Sequence, residues 1–125
     1  MLTQEQIDEI CEMLGGPLSF LWGYIGDAHG ITGIHVDPAS FEERKKDFLF
    51  LIGKLLDEGR LKLAKHDEFM TGTTEEQVEM FRKSFPASDE AMLRGAWFFA
   101  DECPAGAVWV FKGEGENGED YYEWT

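Results

Sequence analysis

The sequence predicts an α+β fold, with four to five helices packed against a small antiparallel sheet that ends in a C-terminal hairpin. Three observations predict it. Capping-box patterns and apolar residues spaced i, i+3, i+4 dominate the earlier part of the chain. Strand signals gather mostly later: Arg60-Leu-Lys-Leu-Ala64 alternates with period two, and Ala107-Val-Trp-Val-Phe111 is a strong strand. An Asn117-Gly118 dipeptide then lies between that strand and Tyr121–Trp124, as at a hairpin tip. Helices that precede strands, rather than alternate with them, favour α+β over α/β. At 125 residues, with no internal repeat or linker, the chain reads as a single domain over residues 1–125.

The elements follow in order. Thr3-Gln-Glu-Gln6 is a capping box, and Ile7, Ile10, Cys11 and Leu14 form one helical face behind it. Gly15-Gly16 stops that helix, and Pro17 opens a second one with Leu18, Leu21, Trp22 and Ile25 on one side. The three glycines between Gly26 and Gly33 read as a loop. Asp37-Pro38 marks a helix start, with Glu42 and Glu43 suited to its positive end. Phe41, Phe48, Leu49, Ile52, Leu55 and Leu56 give this helix its apolar stripe, and Phe50 and Leu51 widen it to nearly the full circumference. It reads as the central core helix, ending at Gly59. Arg60-Leu-Lys-Leu-Ala64 alternates as a half-buried strand. Thr74-Glu-Glu-Gln77 is a second capping box, heading a helix that turns Val78, Phe81 and Phe85 inward and stops at Pro86. Ser88 caps a further helix through Met92 and Leu93 and as far as Trp97–Phe99.

Charge bounds the function. Twenty-five Asp and Glu face eleven Lys and Arg, for a net charge of −14. Residues 1–37 hold six acids and no base, residues 38–88 hold ten acids and nine bases, and residues 89–125 hold nine acids against Arg94 and Lys112. A small domain needs a net charge of only about 2–8 for solubility. The excess adds self-repulsion, and a strongly basic partner would account for it. Nucleic acid and anionic membrane are disfavoured, since both demand the opposite sign. Ten Phe, four Trp and three Tyr supply anchors for a core or an interface. Two cysteines are too few for a disulfide scaffold, no signal-peptide pattern opens the chain, and apolar runs such as Phe48–Ile52 fall far short of a membrane span. The chain reads as cytoplasmic and soluble, a monomer or weak dimer.

Four groups of residues are candidates for chemistry. Asp27-x-His29 and His35-x-Asp37 flank the glycine loop, and imidazole with carboxylate suits a divalent metal or a small metal-dependent hydrolytic site. Against this, Asp27 and Asp37 are also turn and cap residues. Cys103 sits beside Asp101 and Glu102, which oppose a reactive thiolate, so it reads as a buried structural thiol, and Cys11 as a core residue. Gly113-Glu-Gly-Glu-Asn-Gly118 lacks the Lys and Ser/Thr of a phosphate loop and reads as a hairpin turn. The acidic tail remains. Its carboxylates alternate with rings that include Trp124, a pattern that fits either a solvated sheet edge or a docking surface. The candidate partner-binding residues are Asp101, Glu102, Glu114, Glu116, Glu119, Asp120, Tyr121, Tyr122 and Glu123. No catalytic residue, resident metal or cofactor is expected.

Three blocks carry a family resemblance: Glu58-Gly-Arg-Leu-Lys-Leu-Ala-Lys65, then Gly72-Thr-Thr-Glu-Glu-Gln-Val-Glu-Met-Phe-Arg82 with Phe85-Pro86, then Trp97-Phe-Phe-Ala-Asp-Glu-Cys-Pro-Ala-Gly-Ala-Val-Trp109 closing on Trp124-Thr125. Over residues 41–125 the chain resembles a small bacterial family known as a domain of unknown function, number 596. Such proteins resemble immunity proteins encoded beside contact-dependent-inhibition or polymorphic toxins. The resemblance implies a single-domain protein that binds one cognate toxin domain and blocks it, with no catalytic residue to carry over. Toxin domains that attack nucleic acid tend to be basic, and an acidic protein can fill their groove as a polyanion mimic. An acidic adaptor for some other basic partner fits the same charge.

Overall fold

A computed structural model describes residues 1–31 and 37–125. Among these residues, four α-helices form one layer and a four-stranded antiparallel sheet the other, around one apolar core. Helix α1 (Gln4–Cys11) opens on the predicted capping box: Thr3 Oγ1 accepts the Gln6 N–H at 3.1 Å and Gln6 Oε1 accepts the Thr3 N–H at 2.9 Å. Helix α2 (Leu18–Ala28) follows Pro17 and buries Leu18, Leu21, Trp22 and Ile25. It runs further than the sequence suggests. Gly26 and Asp27 stay helical, and the buried Gly26 carbonyl accepts the N–H groups of His29 and Ile31 to close the end. Gly33 and His35 lie outside the described residues.

Asp37 Oδ1 accepts the Ala39 N–H at 3.2 Å and starts a short 3-10 turn, Pro38–Ser40, that runs into α3 (Phe41–Asp57). The helix buries Phe41, Phe48, Leu49, Leu51, Ile52 and Leu55, as the central element should. Burial does not reach the full circumference, because Phe50 points to solvent. Gly59, at φ +71°, ends it: its N–H reaches the Leu56 carbonyl while the Arg60 N–H reaches that of Leu55, the paired bonds of a Schellman end.

Strand β1 (Leu61–Lys65) then turns directly into β2 (Glu68–Phe69), an element absent from the sequence reading. The two-residue turn places His66 at φ 53° and Asp67 at φ 65°, the two positive angles of a type I′ turn. The second capping box is real but sits one residue earlier than predicted. Thr73 is the cap, with Glu76 as its partner, each bond 3.1 Å. Thr74 is free to donate instead to Asp57 Oδ1 at 2.7 Å, which ties the start of α4 (Thr74–Ser84) to the end of α3. Gln77 donates to the Gly72 carbonyl at 3.0 Å.

The helix expected after Ser88 is not α-helical. Ser88 Oγ accepts the Ala91 N–H at 3.2 Å, but Leu93, Arg94 and Gly95 take φ of 52°, 56° and 90° and break the 3-10 segment Leu93–Phe99. The break lets Met92, Trp97 and Phe98 all enter the core while Leu93 and Arg94 stay outside. Arg44, only 2% exposed, holds this segment to α3 through a two-pronged pair with Asp89, both contacts 2.7 Å.

Strand β3 (Gly106–Phe111) lies at the centre of the sheet and β4 (Tyr121–Trp124) returns beside it, giving the order β2-β1-β3-β4. Leu61 pairs with Trp109 and Leu63 with Ala107, and all four face the helices. Phe48 of α3 meets Trp22, Phe81, Phe85 and Phe98 at ring separations of 5.4–6.2 Å, so α2, α4 with its C-cap and the 3-10 segment converge on one helix. Gly16 joins the layers. Its carbonyl accepts the Trp109 Nε1–H at 2.7 Å and its N–H donates to Glu123 Oε1 at 2.8 Å. At φ +73°, with the Phe20 ring 2.6 Å from where a Cβ would sit, this position requires glycine.

Candidate functional site

Strand alternation divides the predicted acidic tail between two faces. Tyr122 pairs with Val110 and Trp124 with Val108, so both rings lie on the outer face of the sheet. Tyr121 lies on the other side, stacked on Phe111 at 6.2 Å. Glu123 also lies there, on the side away from the Tyr122 and Trp124 rings, and its carboxylate accepts the Gly16 N–H within the fold.

The outer face carries no covering layer. Trp124 is 47% exposed, Tyr122 41% and Phe69 41%, with Lys62 beside them. Phe69, carried by the unpredicted β2, lies 5.0 Å from the Trp124 ring and 6.4 Å from that of Tyr122. The Lys62 ammonium sits over both Phe69 and Tyr122, at 5.1 and 5.8 Å. The valines beneath, Val108 and Val110, are buried. The result is an aromatic platform, half in water, built across all four strands and backed by the core.

Exposed carboxylates lie in the loops at either end of β3. At the hairpin end, Glu114, Glu116, Glu119 and Asp120 are exposed in residues 113–120. The loop is ordered from within: the Gly115 N–H donates to the Glu119 carbonyl at 2.7 Å and Asp120 Oδ1 accepts the Gly113 N–H at 3.1 Å. Asn117, at φ 61° in the 3-10 turn Glu116–Gly118, forms the tip. Among the described residues no ion pair engages these four carboxylates. At the opposite end, Asp101 and Glu102 are exposed in the turn before β3, and Lys65 Nζ secures that turn through the Asp101 and Cys103 carbonyls at 2.8 and 3.0 Å. Lys62 already fills the cation position over Phe69 and Tyr122, so the rings offer apolar anchoring area, and the loop carboxylates offer complementary charge to a basic group.

The Asp27/His29/His35/Asp37 group does not assemble among the described residues. Asp27 is exposed, Asp37 is occupied as a helix cap, and His29 Nε2 turns to Asp47 Oδ2 at 2.7 Å. Asp47 also takes the Leu2 N–H, at 3.3 Å, so this His–Asp pair fastens the N-terminus to α3. His35 lies outside the described residues, and among the described ones no group of three or more His, Cys, Asp or Glu comes together. Cys103 is buried with its Sγ 3.3 Å from the Ala105 carbonyl, and burial pushes its thiol pKa up. Cys11 is half-buried at the rim of the core rather than fully inside it.

The sequence reading missed Phe69 and Lys62. The signal available was His66-Asp67, because Asp and His tolerate positive φ and can close a tight hairpin.

Comparison with known proteins adds the following. The family model described as "Protein of unknown function, DUF596" matches residues 56–125, which takes in all four strands and α4. The match starts later than the 41–125 resemblance, leaving most of α3 outside. Among solved structures, an uncharacterized protein conserved in bacteria, from Neisseria meningitidis, is 31% identical over 94% of this chain and 87% of its own, with a TM-score of 0.68. Among curated proteins, none matches.

Proposed function

This chain belongs to the DUF596 family of proteins of unknown function, and from that premise we propose that it is a cytoplasmic immunity protein, which binds a basic toxin domain and blocks it stoichiometrically. The observation that carries the reading is the uncovered aromatic platform of Phe69, Tyr122 and Trp124, on a sheet whose end loops carry exposed carboxylates. Half-exposed aromatic rings on a rigid sheet lose little conformational entropy on binding and serve well as anchors. The −14 net charge supports the same partner chemistry over a longer range, since it draws a cationic surface toward the molecule before contact. In this reading the platform supplies the buried centre of the interface, and Glu114, Glu116, Glu119, Asp120, Asp101 and Glu102 its charged rim. A nuclease is the toxin class that this charge suits best, with the acidic rim occupying the groove meant for phosphates.

No helix among the described residues is long and apolar enough to cross a membrane. The test is co-purification with the C-terminal domain of a secreted toxin, sought in the reading frame beside this one, together with protection of cells that express the domain. A stoichiometric complex whose association slows steeply with added salt supports the proposal. A basic toxin domain that is neither bound nor neutralised removes it.

A further inference from the structure

A second surface lies on the helical layer. Helices α3 and α4 run antiparallel, since Asp57 meets Thr74 at one end while Phe48 meets Phe81 and Lys45 meets Phe85 further along. Between them an open groove of about 1050 Å³ faces solvent, with Leu49, Gly53 and Val78 along it. Two apolar side chains stand in it unshielded, Phe50 at 50% exposure and Met80 at 49%. Its lining holds Asp57, Glu58, Glu75 and Glu76 with Lys54 toward one end, Lys54 being paired with Glu58 at 2.7 Å, and Arg82 and Lys83 with Glu79 toward the other, Arg82 being paired with Glu79. Along α4, Glu76, Met80 and Lys83 fall at i, i+4 and i+7, so one exposed helix face reads acid, apolar, base.

We propose that this groove is a self-association surface, on which a second copy of the chain packs through α3 and α4 about a two-fold axis, with the α4 helices antiparallel. Two features of the surface select that occupant and that orientation. First, an acid–apolar–base face is complementary to itself only when reversed. Antiparallel packing sets Glu76 against the partner's Lys83 twice over and Met80 near the centre, whereas parallel packing sets like charges against each other. One Glu76 oxygen caps the helix at Thr73, the other remains to pair, and Lys83 belongs to none of the described ion pairs. Second, the groove's own lining holds five acids and three bases, a net of −2 against −14 for the whole chain, so most of the acidic excess lies elsewhere. Two strongly negative chains meet with less repulsion on a face that carries little of that excess. The groove residues are distinct from the aromatic platform, so this inference does not depend on the toxin-binding reading.

Sedimentation velocity on the intact chain over a concentration series tests it. The native chain should shift from monomer to dimer as concentration rises. Lys83→Glu and Glu76→Lys should each weaken association about tenfold, with circular dichroism checking that α4 persists once Glu76→Lys removes its capping bond. Mixed together they should associate as the native chain does, because both cross-pairs are then restored. Phe50→Ser, at a half-exposed position that the fold does not need, should weaken association by a similar factor, with circular dichroism confirming its helix content. A native chain that stays monomeric throughout, or a Phe50→Ser chain that associates normally, overturns the proposal. So does association lost only in Phe69→Ser, which would place the contact on the sheet. If the chain alone is monomeric and Phe50→Ser weakens capture of a basic toxin domain, the groove belongs to that partner and the dimer is excluded.

Discussion

Asp89→Ala should be among the most damaging single changes outside the aromatic core. Arg44 is 2% exposed, and its guanidinium makes four hydrogen bonds: two to Asp89 at 2.7 Å each, one to Ser40 Oγ at 2.8 Å and one to the Asp37 carbonyl at 3.3 Å. Trp22 and Phe41 lie 5.4 and 5.6 Å from its carbon and keep water out. Removing Asp89 deletes two of these bonds together with the paired negative charge, and leaves a buried cation. Breaking such a pair costs about 3–5 kcal/mol. Asp89 itself is 26% exposed, so water can enter the vacated site, which puts the expected loss near the low end, about 3 kcal/mol. Small domains have about 5–15 kcal/mol in total, so urea denaturation followed by circular dichroism should show a clear fall in midpoint. Replacing both partners by apolar residues, Arg44→Met with Asp89→Leu, should recover most of the loss, since the desolvation penalty then disappears. A loss below about 1 kcal/mol for Asp89→Ala, or a double variant no better than the single, would refute the reasoning.

Glu123→Ala removes the acceptor for the Gly16 N–H and should cost about 1 kcal/mol in the same denaturation assay while leaving partner affinity unchanged, which separates it from the neighbouring ring positions. Trp109→Phe orphans the Gly16 carbonyl and leaves a small void, for a loss of about 2–3 kcal/mol; a loss under about 1 kcal/mol would show that the layers do not depend on this bond. Burial raises the Cys103 pKa, so the folded state keeps this proton at pH values where the unfolded chain releases it. Stability is therefore unaffected below the ordinary thiol value of about 8.5 and falls as pH rises above it, by up to about 1.4 kcal/mol per pH unit. Cys103→Ala should remove that slope from unfolding curves measured across the alkaline range.

Local rules made much of this architecture legible. The Thr3 capping box, the Asp37-Pro38 start, the Gly59 stop and the Asn117-Gly118 hairpin each rest on neighbours a few residues apart, and each is present. Failures came where tertiary contacts chose between equivalent local options. Thr73 and Thr74 each have an acceptor three residues on, and the bond from Thr74 to Asp57 decides which one caps. The segment after Ser88 has helical spacing, yet burying Met92, Trp97 and Phe98 together forces three positive φ angles. The candidate surface was half legible. Charge and rings located it in the tail, but only the register reveals that Tyr122 and Trp124 face outward, that Glu123 faces Gly16, and that Phe69 completes the platform. The metal reading of Asp27, His29, His35 and Asp37 could not have foreseen Asp47, eighteen residues beyond His29 in the chain.

In the proposed function the outer sheet face captures a basic partner. Its most direct test is the affinity of the cognate toxin domain for the native chain and for the double variant Phe69→Ser with Trp124→Ser, measured by calorimetry at low and high salt. Both rings are half-exposed, so the variant should fold, which circular dichroism checks. The account predicts an affinity loss of at least about a hundredfold, as expected for central aromatic anchors, with the salt dependence retained because the rim carboxylates are untouched. Native affinity in the double variant would contradict it, and would move the interface off this face.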